Sequence, residues 1–581
     1  MFINRLSDHG IEVILAVILL LSGGFYDYSA MVLGALLSAM AFCALCGKTQ
    51  IRHYISMPII FILWQIPVSI WAIDRYQALA GFLRLSPLII WIWLCAQSEI
   101  IDRDRVMNFI PYSGAVMTIL GVASYITGIF KDRMWMADRF GGTFQYANTC
   151  ALYLLMGIIL ISSAILEGGR GIVMKAVLGV LIVGLLLTGC RSVLILAVAW
   201  GIYKSVREKA MRLTFAIIVV TSAALGGLYV YITGNMQNIG RIFTSLSHGS
   251  TFFGRLLYMK DGLKIIAKYP QGLGHEGYYY VQPLYQNGVY EVRFVHNDYL
   301  QAALDVGLIP AILLIGWLIL MIVKGRAVRK YRELLAVILA SVLFDLHMQY
   351  ILIPMIAILC FDISGDLAKG TGTSAGKRKA TDRKDKPDKL IGLLTGHSFG
   401  KYANIQRTES KVIYGLVFAA YIVATIPFAA YRLEDYDLML KFFPHDTEAE
   451  IRILSATENV DRARSTAIDV INHNRYITSA YRNLAFMAVM DNDPEAVLNN
   501  MDEVVKINRY GLKDYQLYDT ILDSVQTGIL RGQTPLDEEK SAELLERIER
   551  TKEELPKRLE ALKETTDPLA YKLRDVPVFS W

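Results

Sequence analysis

The stretch DYLQAALDVGLIPAILLIGWLILMIV, residues 298 to 323, runs directly into KGRAVRK and decides how the rest of the chain reads. From Leu308 to Val323 it carries no charge. A bilayer core takes about 20 helical residues at a rise of about 1.5 Å each, so the whole stretch is long enough to cross one. The cluster Lys324, Arg326, Arg329, Lys330 and Arg332 that follows is what the cytoplasmic end of such a helix carries. Working outward, runs of the same kind lie near 11–24, 29–46, 55–73, 79–97, 108–129, 146–166, 172–188, 190–203, 213–233, 333–346 and 348–363, with a lone run at 412–430. The composition agrees: 54% of residues are hydrophobic and 19% charged, where a soluble protein has about a quarter charged, and the mean hydropathy is +0.37. A wholly soluble enzyme and a single-anchor receptor are both excluded. The fold class read from this pattern is all-α: a polytopic transmembrane helix bundle of about 12 + 1 spans followed by a soluble helical-repeat domain.

With the N-terminus in the cytoplasm as an uncleaved first helix, Lys48, Arg52, Arg103, Arg105, Arg170, Lys175, Lys204, Arg207, Lys209 and Arg212 join the cluster after Val323 on the inner side. The net charge of +6 therefore reflects membrane orientation, and no nucleic-acid partner is read from it. Segment 234–297 then falls outside as a loop far longer than ordinary connections, the kind that usually carries function. The membrane domain is assigned to 1–365 and a disordered basic cytoplasmic linker to 366–411, where KRKATDRKDKPDK cannot bury a core. The additional helix at 412–430 returns the chain to the outside. In 434–581, Asn474, Arg475, Tyr476 and Tyr481 recur 34 residues later as Asn508, Arg509, Tyr510 and Tyr515, the tetratricopeptide period of two helices per unit. A kink or break is expected at Pro556. The six cysteines lie in or beside apolar runs and imply no disulfide framework.

Nucleotide and metal motifs fail on inspection. Gly47, Lys48 and Thr49 end like a phosphate-binding loop, but the required first glycine is Phe42; His275 and Glu276 begin like a zinc-protease motif, but the second histidine position is Tyr279. No metal site and no cofactor is expected. What remains gathers at the outer face. Arg191, in TGCRS between two apolar runs, must face protein or water, and Arg255 opens an amphipathic helix of the long loop. His296, with Asn297 and Asp298 beside it, stands where the loop re-enters the membrane. An imidazole can take a proton from an attacking hydroxyl, and guanidinium forks can hold a phosphate leaving group.

These segments resemble the O-antigen ligase family of membrane glycan transferases, which includes related polysaccharide polymerases and protein O-oligosaccharyltransferases. His296, Asn297, nine residues and Gly307 fit its histidine pattern, with Pro310 where a second glycine is usual. RFGGTFQYANTCALYL, with Arg139 and Asn148, looks like its outer loop entering a span. TGCRS looks like its arginine turn, and the stretch from Arg255 through YPQGLGHEGYYY completes the series over about residues 10–363. The resemblance implies a metal-independent glycosyltransferase of the bacterial cytoplasmic membrane. Arg191 and Arg255 would bind the pyrophosphate of an undecaprenyl-linked glycan, His296 would activate or orient the acceptor, and Arg139, Asn148 and Asn297 would shape or line the site. The acceptor is a glycan, a lipid or a protein. A polymerase or a ligase outside lipopolysaccharide assembly is slightly favoured, because the external repeats suggest docking to a protein partner. The rival readings are a secondary transporter, against which stand the absence of a clear internal duplication and the gathering of polar groups at one face, and a scaffold whose repeats do the binding.

Overall fold

The computed structural model describes residues 2–47, 56–97, 100–169, 171–209, 212, 250–288, 290–363 and 407–564. The expected span at 213–233, the first part of the long loop and most of the basic linker lie outside these residues. Within them the fold is all-α, the only paired strands being a hairpin of Trp135–Met136 with Arg139–Phe140. Among the described residues, five helices are long and apolar enough to cross a membrane, within Asp27–Ala44, Arg75–Ala96, Arg103–Thr127, Ala147–Leu166 and Lys411–Arg432. Four shorter apolar helices accompany them, at Gly10–Leu20, Met57–Val68, Ile172–Leu187 and Leu308–Val323. Large apolar side chains such as Val116, Ile119, Ile126, Ile309, Ile312 and Leu416 are exposed on these helices, a surface that only lipid or partner protein covers. The chain is a membrane protein.

The basic loops meet at one end of the bundle, where their charges pair. Arg103 donates to the Phe361 carbonyl at 3.0 Å, Lys330 lies 3.3 Å from Asp104, Lys204 lies 2.8 Å from Glu333, and Arg326 lies 3.6 Å from Asp362. The other end is built from interrupted helices. The run expected to span from 298 to 323 divides at Gly307 into Asp298–Val306 and Leu308–Val323, and the run at 333–346 stops at Ser341. After a single 3-10 turn at His347–Gln349, the next α-helix starts only at Leu352. The cause of the first break lies in the long loop. Leu273 N donates to Leu304 O (2.7 Å), Gly274 N to Asp305 O (3.0 Å) and Leu308 N to Pro270 O (2.9 Å), so the PQGLG backbone occupies the groove of the broken helix and satisfies its orphan groups. Gly307 sits at φ +108, and a Cβ there would lie 2.7 Å from the Gln271 carbonyl oxygen. Gly307→Ala therefore meets both a forbidden backbone conformation and a backbone clash. A loss of about 2–4 kcal/mol is expected, read as a lower thermal midpoint in detergent, whereas Gly316→Ala, at an open helical position, should leave the midpoint near that of the native protein.

The helix Arg407–Arg432 begins inside the stretch assigned to the linker and lies along Asp27–Gly47. The Tyr421 ring covers Gly34, where an added Cβ would come within 2.3 Å of it, and its hydroxyl meets Ser86 Oγ at 2.6 Å. Close approach over a small residue is how helices associate where lipid removes the hydrophobic drive. Beyond it, Tyr436–Phe442, Thr447–Ala456, Val460–His473, Thr478–Met490, Pro494–Ile507, Leu512–Leu530 and Glu538–Glu564 form a helical array in which successive helices pack on one another. Asp446, Asn459 and Asp493 cap three of these helices through side-chain oxygens. Asn474 and Asn508, the repeated asparagines, both stand at helix C-caps. The last helix passes through Pro556 without ending, because Leu544, Ile548 and Leu555 seat it on the core formed with Tyr515 and Tyr518.

The array docks on the membrane domain at the end opposite the basic loops. Asp74 caps Arg75–Leu85 and also accepts from Asn474 Nδ2 (3.0 Å) and the Thr447 hydroxyl; Gln77 Nε2 donates to Asp446 Oδ2 at 3.0 Å. Tyr280 and Arg293 of the long loop reach Glu448 at 3.4 and 3.7 Å. Burial opposes the charge on Glu276, yet Arg293, whose Nε lies 2.8 and 2.7 Å from its two oxygens, holds that carboxyl below its usual range. The zinc-protease-like pair at His275 and Glu276 is thereby explained as part of an ion-pair network.

Candidate functional site

At the docked end, three of the candidate residues, Asn148, Arg255 and His296, converge on a carboxylate that the sequence reading did not single out, Asp345. It lies in the irregular segment between Ser341 and Leu352 and is fully buried. Its Oδ1 accepts from the Tyr146 hydroxyl at 2.6 Å and from Leu346 N at 3.0 Å, and lies 3.4 Å from His296 Nδ1. Its Oδ2 accepts from Asn148 Nδ2 at 2.6 Å and from the Arg255 guanidinium at 3.0 Å. Arg139 extends the network: its terminal nitrogen donates to Asn148 Oδ1 at 2.7 Å, and its Nε donates to the Thr188 carbonyl at 2.9 Å. Thr188 opens the turn Thr188–Gly189–Cys190, with Gly189 at φ +57, and Arg191 is the first residue of the helix that follows, half-buried. Arg139 therefore ties the arginine turn to Asn148 and, through it, to Asp345.

The local conformations follow from the same contacts. His296 stands at φ +55, a left-handed position that turns the chain between the loop and the helix Asp298–Val306. Asn297 is spent on architecture: its Oδ1 caps that helix at Leu300 N (3.0 Å) and its Nδ2 donates to Leu343 O (3.0 Å). Asp298 N donates to Val342 O, Tyr299 donates to Leu339 O, and Met348 N donates to Asp298 Oδ2 at 2.8 Å. The turn at 296–299 and the broken segment at 342–348 thus satisfy each other's backbone, which is the condition under which non-helical chain is tolerated at membrane depth.

Chemically, the site gathers the guanidinium groups of Arg255, directly, and Arg139, through Asn148, around one buried carboxylate, with Arg191 following the turn that Arg139 holds; two cations against one carboxylate leave an excess of positive charge suited to a polyanion. Burial disfavours the Arg255 charge, but Asp345 beside it raises its pKa further, so it stays protonated throughout the working range. If His296 carries its proton on Nδ1, facing Asp345, then Nε2 is the basic nitrogen, as a carboxylate-oriented imidazole requires. Asp345 and Tyr146 are the members missed by sequence reasoning. An aspartate near the end of an apolar run is itself a signal, since an ionisable group at membrane depth has a partner and a role.

Residues 176–315, about a quarter of the chain, match the family described as O-Antigen ligase. The matched stretch carries Arg191, Arg255, His296, Asn297 and Gly307, while Arg139, Asn148 and Asp345 come to the site from outside it. No curated protein and no solved structure matches the chain. The match supports a membrane enzyme of the glycan ligase or polymerase kind, with a lipid-linked glycan and an acceptor as partners.

Proposed function

We propose that the protein is a metal-independent glycosyltransferase of the outer face of the bacterial cytoplasmic membrane, moving a glycan from a polyprenyl pyrophosphate to an acceptor hydroxyl. The observation that carries the reading is the joining of Arg139, Arg255 and His296 through Asp345 and Asn148, next to the Arg191 turn. The acceptor oxygen attacks the anomeric carbon as its proton passes to His296 Nε2. The bond from that carbon to the pyrophosphate breaks, and the lipid pyrophosphate leaves with its new charge held by Arg191 and Arg255. No nucleotide is needed, because the pyrophosphate is already a good leaving group.

Two further features support the reading. The basic loops collect at the end of the bundle away from the site, which by the positive-inside rule supports an outer position for the site and the helical array. Beside Asp298 lies a cavity of about 230 Å³ walled by Phe61, Leu88, Ile92, Leu314 and Leu339, apolar enough to take part of a prenyl tail.

The test is transfer by the purified protein with a lipid-linked glycan, scored as release of the lipid pyrophosphate. Lysine keeps the charge of arginine but not its fork. Arg255→Lys and Arg191→Lys are therefore expected to lose roughly a hundredfold or more in rate, close to the loss in the alanine variants, as removal of an aligned charge-stabilising donor does. Native rates in both lysine variants at normal expression would remove the arginines from leaving-group binding.

A further inference from the structure

Where the helical array meets the membrane domain, four side chains from three separate segments turn toward one point. His445 comes from the connection after Tyr436–Phe442, Glu450 from Thr447–Ala456, and Asp469 and His473 from one face of Val460–His473. One ligand atom from each lies within 4.8 Å of all the others. His445 Nδ1 is 2.8 Å from Asp469 Oδ2, His473 Nε2 is 3.1 Å from Glu450 Oε2, and the two imidazole centroids are 5.4 Å apart. Glu450 is 3% exposed, and its Oε2 has no aligned hydrogen-bond partner despite the nearby ring; His473 Nδ1 is likewise buried and unpartnered. Tyr76 of the membrane domain packs on both rings, at 5.1 and 6.0 Å.

We propose that His445, Glu450, Asp469 and His473 bind a divalent transition-metal ion of the zinc type. Two neutral imidazoles and two carboxylates carry a charge of about −2, which a divalent cation balances, and nitrogen and carboxylate donors in a set of four suit tetrahedral zinc. Zinc–ligand bonds of about 2.0–2.2 Å put neighbouring donors roughly 3.4 Å apart, a contraction that side-chain rotation supplies. The spacing of Asp469 and His473, four apart on a helix, places both over the same turn. No sequence motif announces the site, because its donors come from three segments that only the packing of the array unites.

The ion has a structural consequence. Asp446 and Thr447, between His445 and Glu450, are the residues that bond Gln77 and Asp74, and Asn474, next to His473, bonds Asp74 as well. A metal across these segments fixes the docking edge of the array as one unit, so it stiffens the join to the membrane domain.

The experiment uses the full chain in detergent, freed of tag and washed with chelator, with Zn²⁺ alone in equilibrium dialysis and Co²⁺ alone as the optical probe. One ion per chain is expected, with the visible absorption of tetrahedral cobalt and a raised thermal midpoint. His473→Ala and the nearly isosteric Asp469→Asn should each weaken binding by more than about a hundredfold, beyond the loss of an outer hydrogen-bond partner. Should His473→Ala fail to fold, Asp469→Asn decides the matter, since it keeps the shape of the site. Binding no tighter than millimolar, or an affinity that both variants retain, would overturn the proposal.

Discussion

Asp345→Ala is expected to be the most disruptive single substitution in the membrane domain, removing both fold at the site and transfer. The carboxylate is the common acceptor for Tyr146, Asn148 and Arg255 and lies beside His296. Arg255 is itself largely buried, its side chain 15% exposed, so alanine would leave an uncompensated cation inside protein. Breaking a buried pair in this way costs about 3–5 kcal/mol, and each buried donor left without an acceptor adds about 1–3 kcal/mol. A marked fall in thermal midpoint should accompany the loss of activity. Asp345→Asn separates the two roles: the amide keeps an acceptor oxygen and the shape of the site, but it gives up the charge that orients and stabilises the imidazole. Most of the stability should return while turnover stays about a hundredfold to ten-thousandfold low. An asparagine variant with native turnover would reduce Asp345 to scaffold, and an alanine variant with native stability would mean that the network is not formed.

The second large effect is expected at His296. His296→Ala should lower turnover by about a hundredfold to ten-thousandfold, the range for loss of a general base, while affinity for the lipid-linked donor persists because the arginines are untouched. The backbone there is left-handed, at φ +55, where alanine is strained. His296→Asn is the better control, since asparagine tolerates that conformation and cannot act as the base. Donor affinity and single-turnover rate, measured separately on both variants, distinguish the roles. Collapse of binding in the asparagine variant would make His296 a phosphate ligand, and persistence of turnover would move the base elsewhere.

The helical character, the apolar helices of a membrane protein and most of the residues that meet around Asp345 stood out in the sequence because each rests on local chemistry. Apolar length makes a spanning helix whatever surrounds it, and basic loops cannot cross. Arginine and histidine beside a membrane boundary have few reasons to be there, so Arg191, Arg255 and His296 stood out one by one. Asn297 stood out for the same reason, yet its amide is consumed by a helix cap and the Leu343 carbonyl, a fate that depends on which backbone happens to lie opposite.

What the tertiary structure decided is where helices stop and which groups meet. A run such as 333–346 reads as one span because hydropathy is summed along the chain, but its helix ends at Ser341: Asp345 gains more from four polar partners drawn from other segments than from continuing a helix. Gly307 likewise breaks its run because the loop backbone at 270–274 arrives to satisfy the groups that the break exposes. Local periodicity and charge by themselves therefore determined the all-α membrane character and the basic loops that gather at one end. The carboxylate hub at Asp345 and the seating of the array on Asp74 arise from contacts between residues far apart in sequence, and their energies exist only once the chain has folded.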